Sequence, residues 1–313
     1  MANKDCSKYK VAILLAFYEG YEYFDEQIVS ILNQTHKNLE IWISNDSEDK
    51  KKSNTFLKSY KKKYKSKIHL IDGPKKGNFR NFLYLACKAE IQANFYAFCD
   101  QDDIWEADKL EVGIDFLRKS PHIKPRLFCS RTLVVDSCNR KITKSPLWIN
   151  PPSFSNAIVQ NIAGGNTMIF NNQARDLIIS HGYNINIVMH DWWLYILVSG
   201  AGGVIEYCSE PLVRYRQHSS NAIGENNSLK AKVKRFIGIF LGDFSAWNRL
   251  HINQLISMPK LLTKNNREIV KGMKSIQNVG LLERLKIFKR IGVTKQTKAQ
   301  NLVLLISVIF GIV

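Results

Sequence analysis

The sequence predicts an α/β fold: a mainly parallel sheet flanked by helices, with a helical basic tail behind it. Three observations lead there. Between Val11 and Cys99, apolar runs of strand length alternate with segments whose apolar residues recur at helical spacing, the pattern of a sheet covered by helices on both faces. Three of those runs end in polar clusters. Beyond Asn221 the composition turns basic and amphipathic.

Val11–Phe17 is a continuous apolar run, as a strand buried on both faces requires. Phe24, Ile28, Ile31 and Leu32 then share one helical face within Tyr23–Leu32. Leu39–Ser44 reads as a second strand closed by Asn45-Asp46-Ser47, and Lys50–Lys67 as a helix whose lysines form a solvated face. Ile68–Ile71 is a short third strand, Asn78–Ala89 a helix with Phe82, Leu85 and Ala86 inward, and Phe95–Cys99 a fourth strand. Ligands of open α/β sheets bind beyond the carboxyl ends of the strands, and Tyr18, Asp46 and Asp100–Asp103 all fall at such ends.

The second half is less regular. Leu127–Val135 reads as a strand and Pro146–Ser155 as a loop, and Asn161–Asn166 turns into an apolar strand over Thr167–Phe170. His190-Asp191-Trp192-Trp193 opens a helix that runs to about Val198 and ends at Gly200–Gly203. Tyr215-Arg216-Gln217-His218 follows a short extended segment. One α/β domain is expected over residues 1–225 and a basic helical tail over 226–313.

At 313 residues, 45% hydrophobic and 23% charged, the chain has the composition of a globular protein. Its net charge of +18 is uneven. Lys50–Lys67 holds nine lysines and no acid, and Leu229–Gln300 holds 16 Lys/Arg against 3 Asp/Glu. These two segments carry +22, so the remainder is close to −4. Basic runs of this kind suit the anionic face of a membrane. A nucleic-acid-binding protein is the rival reading, but the runs lie outside the expected crevice and lack an interleaved aromatic platform. The six cysteines show no C-x-x-C pair and no zinc spacing, which favours a reducing compartment. Met1–Lys10 is polar and Val11–Phe17 is short and followed by acids, so no signal peptide is expected. The apolar run Leu302–Val313 supplies twelve residues, where a membrane-spanning helix needs about 20. It suits an interfacial association instead.

Asp100-Gln101-Asp102-Asp103 sets three carboxylates in four positions directly after a strand. Like charges so close repel, and a divalent cation between them removes the conflict. Mg²⁺ and Mn²⁺ favour one or two carboxylates completed by phosphate oxygens. An Asp-rich helix N-terminus is the other reading of the same residues.

Six pieces then occur in order over roughly Lys10 to Gly224. They are Ala16-Phe17-Tyr18-Glu19-Gly20, Ser30-Ile31-Leu32-Asn33-Gln34-Thr35, Ser44-Asn45-Asp46-Ser47, Asp100-Gln101-Asp102-Asp103-Ile104-Trp105, His190-Asp191-Trp192-Trp193 and Tyr215-Arg216-Gln217-His218. In these the chain resembles the family-2 glycosyltransferases, inverting enzymes of the GT-A fold that use nucleotide-diphosphate sugars, and especially the bacterial polysaccharide branch that contains rhamnosyltransferases. The resemblance implies a GT-A domain to residue 225, a dTDP- or UDP-sugar donor, and a glycan or lipid-linked glycan acceptor. It implies that Tyr18 and Asp46 contact the nucleobase, that Arg80 lies near the nucleotide, and that Asp100 and Asp102 form the D-x-D pair. Asp102 then binds the Mg²⁺ or Mn²⁺ that bridges the donor's diphosphate, and Asp191 takes the proton from the acceptor hydroxyl. His218 is a further metal ligand or diphosphate contact, and Arg214 and Arg216 are diphosphate partners because guanidinium matches phosphate geometry. Gly164 and Gly165 permit close backbone approach, and Trp192 and Trp193 offer an apolar platform for a sugar or lipid-linked acceptor or else fill the core. Glu19 stands where the family usually has Asn, Asn45-Asp46 where an Asp pair is frequent, and Phe17 where a smaller residue is common; these bear on which base is bound. An inactive scaffold of the same fold is the third reading, against which Asp100, Asp102 and Asp191 all stand. The resemblance also implies a cytoplasmic location, peripheral at the inner face of the cell membrane.

Overall fold

The computed structural model describes residues 6–119, 123–218 and 243–312. They divide into two compact units, one of residues 1–147, 163–185 and 203–217, the other of 148–162, 186–202 and 218–313. The boundary expected at residue 225 lies outside the described residues.

The first unit is built on a sheet with strands, in chain order, β1 Val11–Phe17, β2 Leu39–Asn45, β3 Ile68–Asp72, β4 Phe95–Cys99, β5 Ile104–Trp105, β6 Arg126–Val135, β7 Lys141–Lys144, β8 Ile169–Asn171 and β9 Val204–Arg216. Among the described residues their spatial order is β3-β2-β1-β4-β8-β6-β9-β5, with β7 paired to β6. The first four strands are parallel neighbours, as expected. The second half is mixed: β8 runs antiparallel to both β4 and β6, whereas β9 returns parallel to β6.

Helices α1 Phe24–Leu32, α2 Lys50–Lys63, α3 Asn78–Cys87, α4 Lys109–Leu117 and α6 Asn172–Ile179 belong to this unit. Every residue of β1 is buried, because both faces of the strand are covered. Val11, Ile13, Leu15 and Phe17 join Phe24, Ile28, Ile31 and Leu57 in one core. Phe17, Phe24 and Phe56 pack their rings there at centroid separations of 5.2–6.0 Å. On the opposite face lie the buried Phe82, Leu83, Leu85 and Ala86 of α3. The end of α3 is closed by Arg175 of α6, which donates to the Ala86 and Lys88 carbonyls at 2.7 and 2.5 Å and so satisfies acceptors a helix C-terminus leaves open.

The second unit is helical among its described residues: α5 Phe154–Ala157, α7 His190–Gly200, α8 Asp243–Ser257, α9 Lys264–Ile276, α10 Leu281–Ile291 and α11 Lys298–Phe310. The basic helices expected as a tail thus share a unit with two earlier segments. All of α7 is buried, which suits its run of apolar residues on every side. Asn266 donates to the Ser199 and Gly200 carbonyls at 3.2 and 2.9 Å, capping the end of α7. His251 packs against Trp192 and Trp193, with ring centroids 4.8 and 5.8 Å away.

Burial lowers the pKa of His251 from 6.5 to about 3 and does the same to His190. Protons therefore favour the unfolded chain. The neutral rings contribute fully above pH 6.5, and that contribution is lost as pH falls from there towards 3. Stability should fall below pH 6.5 by about 1.4 kcal/mol per pH unit for each ring. The His251→Phe variant, compared by urea unfolding at pH 6 and pH 5, should lose about 1.2 kcal/mol less than wild type over that interval. Identical pH slopes would exclude His251 as a contributor.

Candidate active site

The parallel register brings the expected donor residues to one edge of the sheet. Phe17 pairs with Asn45, Leu15 with Cys99, and Asn45 with Asp72, so Tyr18, Asp46 and Asp100 each follow a strand at its carboxyl end. The ring of Tyr18 is 54% exposed. Its peptide is held from two sides by Gln101: Tyr18 N–H donates to Oε1 at 2.8 Å, and Nε2 donates to the Tyr18 carbonyl at 3.0 Å. The acidic turn after β4 is thereby fastened to the end of β1. A Cβ on Gly20 would come within 2.0 Å of the Gln101 side chain, so a larger residue there would displace Gln101 from this grip.

Asp46 is buried, and its Oδ1 accepts from the Lys75 N–H at 2.5 Å. Gly73 is needed beside it, because a Cβ there would lie 2.5 Å from that oxygen. Asn45 explains its own departure from an Asp pair. Its amide donates to Ser53 Oγ at 2.9 Å and to Asn54 Oδ1 at 3.0 Å, and a carboxylate cannot donate to either. Arg80 lies in the first turn of α3, which Asn81 ties to β2 through Ser44: Ser44 Oγ–H donates to Asn81 Oδ1 at 2.5 Å. Among the described residues the buried Nε of Arg80 makes no hydrogen bond.

The three carboxylates of the turn are not equivalent. Asp100 and Asp102 are half-buried, whereas Asp103 is fully buried and points into the unit. It accepts from Asn166 Nδ2 at 2.5 Å and from the Arg216 N–H at 3.1 Å. Burial, and then the charge of Asp102, push its pKa well above the usual carboxylate range. Lys109 is its buried counterpart, donating to the Asn166 carbonyl at 2.6 Å and lying 3.2 Å from the Trp105 ring centre; burial lowers its pKa to about 7.

Arg216 departs from expectation. Its guanidinium is fully buried and donates to the Asp102 carbonyl at 3.0 Å, the Ser137 carbonyl at 2.7 Å and Glu26 Oε2 at 2.8 Å, with the Tyr23 ring 4.5 Å away. This leaves no face for a diphosphate. Arg214 likewise pairs with Glu106, at 2.7 and 3.3 Å. Arg216 instead fixes the backbone of the acidic turn. Glu26, Gln101, Asp103, Lys109 and Asn166 complete that support, and sequence reasoning had assigned them no such role. Only Asp103 carried a signal, since it directly precedes the apolar Ile104-Trp105.

A cation fits Asp100 and Asp102 in one respect. They are hard oxygen donors, yet among the described residues no group of three His, Cys, Asp or Glu could hold a metal. A metal there would need oxygens from a ligand, as Mg²⁺ and Mn²⁺ sites on phosphate substrates do. His218 is half-buried and belongs to the second unit, as does Asp191. Asp191 is buried in the first turn of α7, and its Oδ1 accepts from the Trp192 N–H at 2.6 Å. The N-cap is Met189, without a side-chain bond, and Asp191 satisfies one of the N–H groups that the first turn leaves open. Trp192 and Trp193 are buried, and the Trp192 indole donates to the Ala157 carbonyl at 2.7 Å. They fill the core and offer no exposed platform.

The support of the turn is testable. Arg216→Lys keeps the charge but cannot reach three acceptors with one ammonium. It should destabilise the protein by about 2–4 kcal/mol in urea unfolding and weaken Mn²⁺-dependent nucleotide binding by about tenfold or more, the usual scale for groups that orient metal ligands. An unchanged urea midpoint with unchanged binding would contradict the assignment.

Residues 12–168 match the family model described as Glycosyl transferase family 2. The chain is 28% identical over 232 residues to a dTDP-rhamnosyl transferase, RfbG, of Shigella flexneri, covering 71% of this chain and 77% of that protein. It is also 28% identical over 240 residues to an uncharacterized glycosyltransferase of Haemophilus influenzae, covering 72% of each. Among solved structures it is similar to S. aureus TarS 1-349 in complex with UDP-GlcNAc, with a TM-score of 0.52 and 13% identity over 88% of this chain and 83% of that one, a likeness of fold. The sheet, the order of its strands and the matched sequence agree: on a GT-A-like α/β fold, the chain belongs to glycosyl transferase family 2.

Proposed function

We propose that this family-2 glycosyltransferase moves a sugar from a dTDP- or UDP-linked donor to a glycan or lipid-linked glycan, with inversion, in bacterial surface polysaccharide synthesis. The observation that carries the reading is the sheet edge where Tyr18, Asp46, Asp100 and Asp102 follow three parallel strands in register. Transfer of rhamnose from dTDP is favoured among donors by the Shigella relative named for it.

The exposed ring of Tyr18 stacks on the base and Asp46 accepts from it. Arg80, in the first turn of α3, contributes positive charge near the nucleotide. Asp102, with Asp100 beside it, would hold Mg²⁺ or Mn²⁺, which would supply positive charge against the departing diphosphate. Arg216 and Gln101 keep that turn in place, so no reorganisation accompanies the charge shift. The acceptor oxygen forms a bond to the anomeric carbon as the bond from that carbon to the diphosphate breaks. The electron pair leaves with the diphosphate, and the acceptor proton passes to Asp191. His218 would add a second contact to the cation or the diphosphate. The basic helices suit a peripheral position on anionic lipid at the cytoplasmic face, near a lipid-linked acceptor.

Release of nucleoside diphosphate from dTDP- and UDP-sugars, with Mn²⁺ or Mg²⁺ and with chelator, tests the reading. Wild type should turn over a donor only with metal. Asp102→Ala should fold normally and lose Mn²⁺-dependent nucleotide binding, whereas unchanged affinity in saturating Mn²⁺ would remove Asp102 from the metal site. Asp191→Asn should bind donor and metal almost normally and transfer about 10²-fold more slowly or worse, the scale of a positioned general base. Transfer by that variant at near wild-type rate would place the base elsewhere.

A further inference from the structure

The second unit exposes large apolar side chains at two helix ends. Leu282, in the first turn of α10, is 76% exposed, and Phe310, the last residue of α11, is 70% exposed. Arg284 joins these ends, donating from Nη1 to the Ile309 carbonyl at 3.1 Å. A Cβ on Gly311 would lie 2.7 Å from the Arg284 guanidinium carbon, so the two ends abut. Leu281 and Ile309 add exposed apolar surface beside them.

Basic residues border the patch in a fixed arrangement. Lys286 and Lys289 follow Leu282 by four and seven positions, which sets them on the same face of α10. The helix as a whole carries four basic residues against one acid. Along α11 the only charge is Lys298; Leu304, Ser307 and Val308 turn inward while Leu302, Ile309 and Phe310 stay exposed. A helix apolar on every side belongs in a core or against lipid. Among the described residues no helix is long and apolar enough to cross a membrane; a partly exposed apolar helix next to basic residues suits contact in the plane of the interface.

We propose that the adjoining ends of α10 and α11 are the surface on which the protein docks to an anionic bilayer, Leu282 and Phe310 entering the acyl boundary and Lys286 and Lys289 meeting the headgroups. This rests on the membrane reading given under the proposed function and assigns it to particular side chains. The charge selects the occupant: a second copy of this surface would bring like charges together, whereas acidic lipid gains roughly fivefold in partitioning for each basic residue near it.

The full chain is sedimented with vesicles of phosphatidylcholine, with and without phosphatidylglycerol. Leu282→Ser/Phe310→Ser and Lys286→Gln/Lys289→Gln are compared with a control, Ile123→Ser/Ile142→Ser, which removes exposed apolar residues from the first unit. Wild type and control should bind the anionic vesicles, and each patch variant should bind about tenfold less or worse. Urea midpoints and donor turnover on a water-soluble acceptor should stay at wild-type values. Patch variants that bind as wild type does would overturn this surface while leaving membrane association standing. A wild type that ignores anionic vesicles would remove both, without touching the donor chemistry. A wild-type dimer in solution that the Leu282→Ser/Phe310→Ser change dissociates would reassign the patch to self-association and overturn the proposal.

Discussion

The first unit depends on how one acidic turn is restrained. Three aspartates in four positions at the end of a strand repel. The restraint comes from distant parts of the chain. Gln101 grips the Tyr18 peptide on β1, Asp103 is anchored by Asn166 and by the backbone of Arg216, and the Arg216 guanidinium holds the carbonyl of Asp102. One carboxylate is thereby withdrawn into the interior, where its pKa rises. The other two, Asp100 and Asp102, remain half-buried at the sheet edge. The turn is therefore organised before any ligand arrives, which is what electrostatic assistance to a departing anion requires.

The support extends outward through charges that are themselves buried. Arg216 has no solvent exposure, yet its three bonds end on two carbonyls and on Glu26, which is partly exposed. A buried guanidinium persists only when its donors are used. Lys109 meets the same condition through the Asn166 carbonyl and the face of Trp105. Asn166 thus serves both signs at once, its amide facing Asp103 and its carbonyl facing Lys109. Replacing it by Asp would set two buried carboxylates against each other.

Much of the sheet was legible because its strands are buried on both faces. Val11–Phe17 and Phe95–Cys99 were read with the boundaries the structure shows, since a continuous apolar run has few other uses. The second half was harder for the same reason inverted. β9 is exposed or half-exposed at ten of its thirteen residues and carries no clean periodicity, so only a short extended segment was expected there. Helices α4 and α6 went unread; α4 begins with a buried lysine and α6 keeps a buried arginine, residues that pattern reasoning sends to the surface. The site shows the same division. Tyr18, Asp46 and Asp102 were legible as strand-end residues, and the structure places them at the carboxyl ends of parallel strands. The role of Arg216 was misread, because its partner Glu26 lies 190 positions away and only the fold brings them together.

If the turn is a half-site completed by a diphosphate, metal and nucleotide must bind cooperatively. The most direct measurement is calorimetric titration of Mn²⁺ into the protein with and without UDP or dTDP. Two carboxylates alone are a weak site, so one of these nucleotides should tighten Mn²⁺ by about tenfold or more, and Mn²⁺ should tighten that nucleotide by the same factor. Mn²⁺ binding of equal strength with and without either nucleotide would contradict the account.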